Sequence, residues 1–163
     1  MELTADLPAE LVPVAWLLGT WEGAGVVGYP TMQSLHFGQE VVFEQVGKPF
    51  LAYRSQTWLL DDDGARVRPL ASECGYWRPR PEGALEVMLA HPTGFVEIWV
   101  GHLTSAKIEL RTDMVARTES AKEYTSGHRL YGLVEGELFW AFDMAAVGEP
   151  LQSHASGRLK RVA

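Results

Sequence analysis

The sequence predicts an all-β protein: a single antiparallel up-and-down β-barrel of about ten strands with a short N-terminal helical segment. Three observations predict it. Short runs rich in β-branched and aromatic residues recur at regular spacing along most of the chain, separated by Gly, Pro and Asp turn signals. Almost no helical pattern lies between them, so the crossovers that parallel strands need are missing and neighbours pair as hairpins. A twisted sheet of that many strands tends to close on itself, and a barrel of about eight strands or more can hold one small ligand. On pattern alone, a two-sheet sandwich stays open.

The elements follow in order. Leu7–Leu18 carries Leu7, Leu11, Val14 and Leu18 on one stripe; Pro8 suits a first turn, Pro13 interrupts, and Gly19 stops the run. One or two short helical turns result. From Trp21 onward the chain reads as strands. Glu40–Val46 ends at Gly47-Lys48-Pro49, and Phe50–Leu60 runs into Asp61-Asp62-Asp63-Gly64, a hairpin signal. Pro69–Arg78 closes at Pro79–Gly83, and Ala84–Ala90 alternates with Leu85, Val87 and Leu89 on one face. Pro92-Thr93-Gly94 turns the chain into Phe95–Val100. Lys107–Thr112, Tyr124–Val134, Leu138–Met144 and Gln152–Val162 complete the set. No internal repeat or linker interrupts them, so residues 1–163 are expected to form one domain.

Composition excludes several classes of function. The chain has 163 residues, 47% hydrophobic and 21% charged, with a formal net charge of -7. That charge argues against nucleic acid, whose phosphates need clustered Lys and Arg, and against a polybasic membrane-surface role. Cys74 is the only cysteine, which rules out an intramolecular disulfide and Cys-rich zinc or iron–sulfur sites. The start, Met1-Glu2-Leu3-Thr4-Ala5-Asp6, has no signal-peptide pattern, and no apolar run approaches the roughly 20 residues of a membrane span. A soluble, cytoplasmic protein is expected, with no nucleic-acid or membrane partner. Nothing in the pattern sets an oligomeric state.

The sharpest local motif is Gly19-Thr20-Trp21-Glu22-Gly23-Ala24-Gly25, where the helical segment meets the first strand. Gly19, Gly23 and Gly25 permit bends and close backbone approach, and Trp21 can plug the end of a barrel. This reads as folding apparatus. The five histidines, His36, His91, His102, His128 and His154, show no paired spacing for zinc. A lone histidine still suffices for heme iron, which needs one proximal side chain. His154 lies in Leu151-Gln152-Ser153-His154-Ala155-Ser156-Gly157, among small residues that would let a flat macrocycle approach. Alternation nevertheless places it on the face of Arg158 and Lys160, toward solvent, unless a bulge near Gly157 changes the phase.

His91 ends a strand beside Pro92-Thr93-Gly94, where it faces a ligand at the mouth or hydrogen-bonds within the turn. Thr31 reads as a turn residue and His128, between Gly127 and Arg129, as surface. Asp61–Asp63 is a solvated loop. No nucleophile elbow, phosphate loop or carboxylate pair stands out.

Several segments together resemble one family. They are Leu18–Gly25, Tyr29-Pro30-Thr31, Glu40–Phe43, Val46–Pro49, Ser72–Gly75 with Trp77-Arg78-Pro79, Glu86–Gly94 with Val96-Glu97, Ala121-Lys122-Glu123 and Met144–His154. In this order, over nearly the whole chain, they resemble the nitrobindins, heme-binding β-barrels similar in architecture to fatty-acid-binding proteins. The resemblance implies a ten-stranded barrel with one ferric heme b per chain at its mouth. It makes His154 the axial iron ligand and Thr31 a heme contact. On that reading Leu70, Ala71, His91 and Met144 would form the distal wall. Ala71 stands where some members carry histidine, His91 where they carry glutamine or histidine, and His128 where some carry a lysine toward a heme propionate.

The family is described as scavenging peroxynitrite, isomerised to nitrate at ferric heme, and nitric oxide. Two other readings share the fold. One is a carrier of nitric oxide or heme without turnover; the other is a heme-free carrier of a fatty acid or similar apolar ligand. For the last, Arg54 and Arg78 are the candidate carboxylate clamps.

Overall fold

The computed structural model describes residues 6–163; most of the acidic start read for a leader, residues 1–5, lies outside the described residues. A 3-10 helix, Ala9–Leu17, leads into β1 (Gly19–Tyr29), β2 (Met32–Glu44), β3 (Leu51–Leu60), β4 (Arg66–Pro79) and β5 (Ala84–His91). There follow β6 (Phe95–Thr104), β7 (Lys107–Arg117), β8 (Tyr124–Val134), β9 (Glu137–Ala146) and β10 (Gln152–Arg161). Every strand pairs antiparallel with its sequence neighbours, and β10 closes on β1, giving a closed up-and-down barrel. Closure excludes the sandwich.

Several strands are longer than their apolar pattern. β2 starts at Met32 rather than at Glu40 because its first residues, exposed except for half-buried Leu35, still pair their backbone with β1. β6 and β7 run on to Thr104 and Arg117 in the same way, with the register shifting by one residue between Ile98 and Trp99.

The helical segment also departs from expectation. It forms a continuous nine-residue 3-10 helix with Pro13 inside, and Leu11, Val14, Ala15 and Leu17, rather than Leu18, are its buried residues. Such runs are uncommon in isolation. Packing against the barrel end holds this one: Leu11, Val14 and Leu17 join Trp21, Trp77 and Leu159 in the main core. Trp21 donates its indole N–H to the Leu17 carbonyl at 2.8 Å, and the Arg161 guanidinium covers its ring at 4.4 Å. Trp21 therefore plugs this end, and Gly23 lets β10 lie against it. A Cβ at Gly23 would stand 1.9 Å from the Arg158 carbonyl oxygen.

Strand direction alternates, so the turns at 30–31, 61–65, 92–94, 118–123 and 147–151 gather at the opposite end, the mouth. The wall splits there. Pairing of β4 with β5 stops at Cys74↔Ala90, and residues 66–73 of β4 present an open edge that includes Pro69. β7 and β8 likewise pair only as far as Arg111↔His128.

Candidate functional site

A cavity of about 490 Å³ enters the barrel from the mouth. That is within the range of small-molecule and cofactor pockets. Its upper wall is apolar, with Val27, Met32, Leu35, Leu70, Phe95 and Met144. Deeper in, the polar side chains of Gln39, Tyr53, Ser55, Glu73, Arg129 and Tyr131 stand among Val41, Leu138 and Leu159.

His154 lines this cavity together with its neighbour Ala155. Consecutive residues of a regular strand point to opposite faces, so one of them must sit at an irregularity. The register between β10 and β9 shifts between Ser153 and Ala155, which is at His154 itself. Alternation inward resumes at Ala155, Gly157 and Leu159, with Arg158 and Lys160 outside. The expected phase was thus correct for the rest of the strand, and the bulge lies at His154 rather than at Gly157.

The imidazole is held on several sides. Nδ1 donates to the carbonyl oxygen of Gly28 at 3.1 Å. Tyr29 and Phe142 each meet the ring edge to face, both at 5.6 Å between centroids. Tyr29 is fixed in turn: its hydroxyl donates to the Met144 carbonyl at 2.8 Å and accepts from the Ala146 amide at 3.1 Å. A carbonyl can only accept, so the proton of a neutral imidazole sits on Nδ1 and Nε2 keeps its lone pair. Burial lowers the His154 pKa below the ordinary value of 6.5; the bond to Gly28 opposes this, and nearby Arg129 adds to it. Neutral His154 is the form at pH 7.

Beneath it lies a charged network. Arg129 binds Glu73 bidentately, at 2.7 and 3.1 Å, and also donates to the Tyr131 hydroxyl at 3.1 Å. Tyr53 donates to Glu73 at 3.0 Å. Burial pushes the Glu73 carboxyl up, but Arg129 outweighs it and holds the carboxyl below the ordinary range. Burial likewise opposes the Arg129 charge, and Glu73 more than restores it. The guanidinium also lies 4.6 Å over Phe142, the ring that supports His154. On the β5–β6 side, His91 Nε2 donates to Glu97, whose second oxygen accepts from Tyr124 at 2.6 Å.

The sequence-derived candidates separate accordingly. Leu70, Ala71, His91, Met144 and His154 line one cavity. His91 bonds to Glu97 rather than within the 92–94 turn, which engages its Nε2. Thr31 lies in the exposed turn between β1 and β2, beside Met32 of the cavity wall, and does not itself line the cavity. His128 stands outside the barrel between Glu109 at 3.0 Å and Asp143 at 3.7 Å, because Arg129 takes the inward phase of β8. It leaves the site. Arg54 and Arg78 are exposed, so neither is an interior clamp.

Glu73, Glu97 and Arg129 were not singled out by sequence reasoning, although a signal existed. Each shares its strand phase with inward aromatics: Glu97 with Phe95 and Trp99, Arg129 with Tyr131, Glu73 with Trp77. A charge in that phase marks a buried polar group.

Comparison with known proteins fits this geometry. Residues 10–161 match the model of the THAP4-like, heme-binding beta-barrel domain. A ferric nitrobindin-like protein of Kineococcus radiotolerans is 52% identical over 177 residues, covering 99% of this chain and 98% of the relative. A peroxynitrite isomerase of a Nocardioides species is 52% identical over 160 residues, covering 98% of each. The crystal structure of Rv2717c from M. tuberculosis superposes with a TM-score of 0.88 at 41% identity, covering 97% of this chain and 100% of that one. The chain belongs to the nitrobindin family of THAP4-like heme-binding β-barrels.

Proposed function

We propose that the protein is a heme-dependent peroxynitrite isomerase, holding one heme b per chain in the mouth cavity with His154 as its axial ligand. The observation that carries this reading is the Nδ1–Gly28 bond, which leaves a neutral Nε2 lone pair facing a cavity with apolar upper walls. A ligating histidine commonly donates its other N–H to a carbonyl in this way, which fixes tautomer and ring orientation. The donor set fits heme: one imidazole for the metal, apolar side chains for the macrocycle, and small Ala155 beside the ligand. It does not fit a protein-only metal site, and the described residues hold no cluster of three or more metal-ligating side chains. The names of the relatives support the reaction.

Ferric heme, when bound, supplies a Lewis acid at which peroxynitrite rearranges to nitrate with no net redox change. The protein's part is to hold and enclose. His154 anchors from β10, while Tyr29 and Phe142 keep its ring from turning. Leu70, Ala71, His91 and Met144 wall the reactant space, and the rearrangement demands no protein base. Nitric oxide would occupy the same place. The free, exposed Cys74 suits a reducing, cytoplasmic setting.

The heme-free fatty-acid reading lacks its clamp. The interior guanidinium, Arg129, is already paired with Glu73, and a second carboxylate would have to displace it.

Heme titration of the purified protein beside His154→Ala, followed at the Soret band, tests the site. Saturation near one heme per chain, with loss of the ligated spectrum in the variant, is expected. Accelerated peroxynitrite decay by the loaded wild type then separates an isomerase from a carrier; an unaltered decay rate leaves carriage alone.

A further inference from the structure

A second histidine lines the cavity across the barrel from the first. Four strands separate β10 from β5 either way round, β6–β9 on one side and β1–β4 on the other, so His154 and His91 stand on opposite walls. Both adjoin turns at the mouth, His154 after 147–151 and His91 before 92–94. A group held between these walls meets His154 on one side and His91 on the other.

His91 is held firmly. Its ring stacks on Phe95, its β6 partner, at 4.2 Å. Glu97, the diagonal neighbour two residues further along β6, takes its Nε2–H. The Glu97 side chain has no exposed surface, and its other oxygen accepts from the Tyr124 hydroxyl at 2.6 Å. Arg129 of β8 and Glu73 of β4 are the other charged groups close to this pair, and they are committed to each other. A carboxylate between two donors accepts from both, so neutral His91 carries its one proton on Nε2. Nδ1 has no protein partner among the described residues, and it is not one of the buried side-chain atoms left without one. It is therefore an open acceptor at the mouth, beside apolar Leu70, Ala71 and Pro92.

We propose that Glu97, steadied by Tyr124, locks His91 in the tautomer whose Nδ1 accepts a proton, so that a small anion binds opposite His154 together with one proton. This rests on the heme reading above. An anion is itself an acceptor, and two acceptors repel unless a proton lies between them. That proton arrives from solvent or on the acid form of the reactant, and it returns to solvent when the product leaves. While it bridges Nδ1 and the anion, the Glu97 carboxylate balances the charge that develops on the imidazole. Glu97 and Tyr124 act through His91 and are positioning residues.

Azide binding to the ferric, heme-loaded protein tests this, followed at the Soret band while an indicator dye in weakly buffered neutral solution counts protons. Wild type is expected to take up about one proton per azide more than either Glu97→Gln or His91→Leu. In Glu97→Gln the new amide donates to Nε2 and moves the imidazole proton to Nδ1, so azide meets a donor and needs no proton. In His91→Leu the partner is gone, and azide affinity is expected to fall about tenfold. Protons taken up by displaced hydroxide are common to the three proteins and cancel in the comparison. Equal uptake by all three, each with a normal ligated Soret spectrum, overturns the proposal and leaves the heme reading standing. Uptake kept in Glu97→Gln but lost in His91→Leu also overturns it, since His91 then acts without the lock. A wild-type protein that takes up no heme overturns both readings.

Discussion

His154 Nδ1 donates to the carbonyl oxygen of Gly28 across 3.1 Å, at the point where the β1–β10 ladder has just ended at Val27↔Ala155. Both residues lie at register shifts, Gly28 between Val27 and Tyr29 and His154 between Ser153 and Ala155. Two bulges thus face each other across the seam that closes the barrel. The bulges free a carbonyl and turn a histidine inward, and each supplies what the other needs. The seam that closes the fold also orients the His154 imidazole.

A pH dependence follows from that environment. Burial lowers the His154 pKa below 6.5, with Arg129 assisting against the Gly28 bond. A group depressed in the folded state binds its proton more weakly there than in the unfolded chain, so protonation opposes both folding and ligation. Heme affinity is expected to be flat above pH 6.5 and to fall, by up to about tenfold per unit, only below the lowered His154 value. Soret titrations across the acid range measure it. A midpoint above 6.5 contradicts the assignment.

Tyr29→Phe isolates the support of the His154 ring. The ring against His154 remains, but the Ala146 amide loses its acceptor and the Met144 carbonyl its donor. An orphaned buried backbone group costs about 1–3 kcal/mol. Urea unfolding of the apo protein is expected to show a loss of that size. Heme dissociation is expected to quicken, since the end of β9 is no longer tied to β1 through this hydroxyl. Unchanged dissociation would mean that ring packing alone positions His154.

The barrel was legible because hairpin turns and alternating apolar residues repeat locally, as in Ala84–His91, where Leu85, Val87 and Leu89 are all buried. The N-terminal half of β2 was not, since a strand can satisfy its backbone while exposing its side chains. The face of His154 was illegible for a different reason. A bulge is one extra residue with no composition of its own, and one residue inverts the phase. The resemblance named His154 where periodicity argued against it. Glu73 and Arg129 escaped both readings because their partners come from strands 56 residues apart in sequence.

Gly25→Ala tests the link between seam and site. A Cβ there would lie 2.0 Å from the Ser156 carbonyl oxygen and 2.9 Å from the Gly157 Cα, both backbone atoms with little room to yield. β1 must move off β10, three residues from Gly28. A destabilisation of about 2–4 kcal/mol is expected in urea unfolding. Heme affinity should fall as well, even though Gly25 is not a cavity-lining residue. Full affinity in the variant would show that the seam and the Gly28–His154 bond are independent.

Glu73→Gln examines the buried ion pair. Its side chains are 18% exposed for Glu73 and 5% for Arg129, so the variant leaves a buried guanidinium without its counter-charge. Breaking such a pair costs about 3–5 kcal/mol, whereas replacing both members with apolar or neutral groups costs far less. Apo Glu73→Gln is expected to unfold at markedly lower urea, and Glu73→Gln with Arg129→Met to recover much of the difference. The sign of the pH dependence is fixed too. Burial raises the Glu73 pKa, but Arg129 outweighs it and holds the carboxyl below 4.5. Stability from the pair is therefore complete above the unfolded value and is lost as pH falls through the folded one. The gap between wild type and Glu73→Gln should narrow only in acid, below about pH 4.5. A gap that stays constant into strong acid would assign the loss to the hydrogen bonds from Tyr53 and Arg129 rather than to charge.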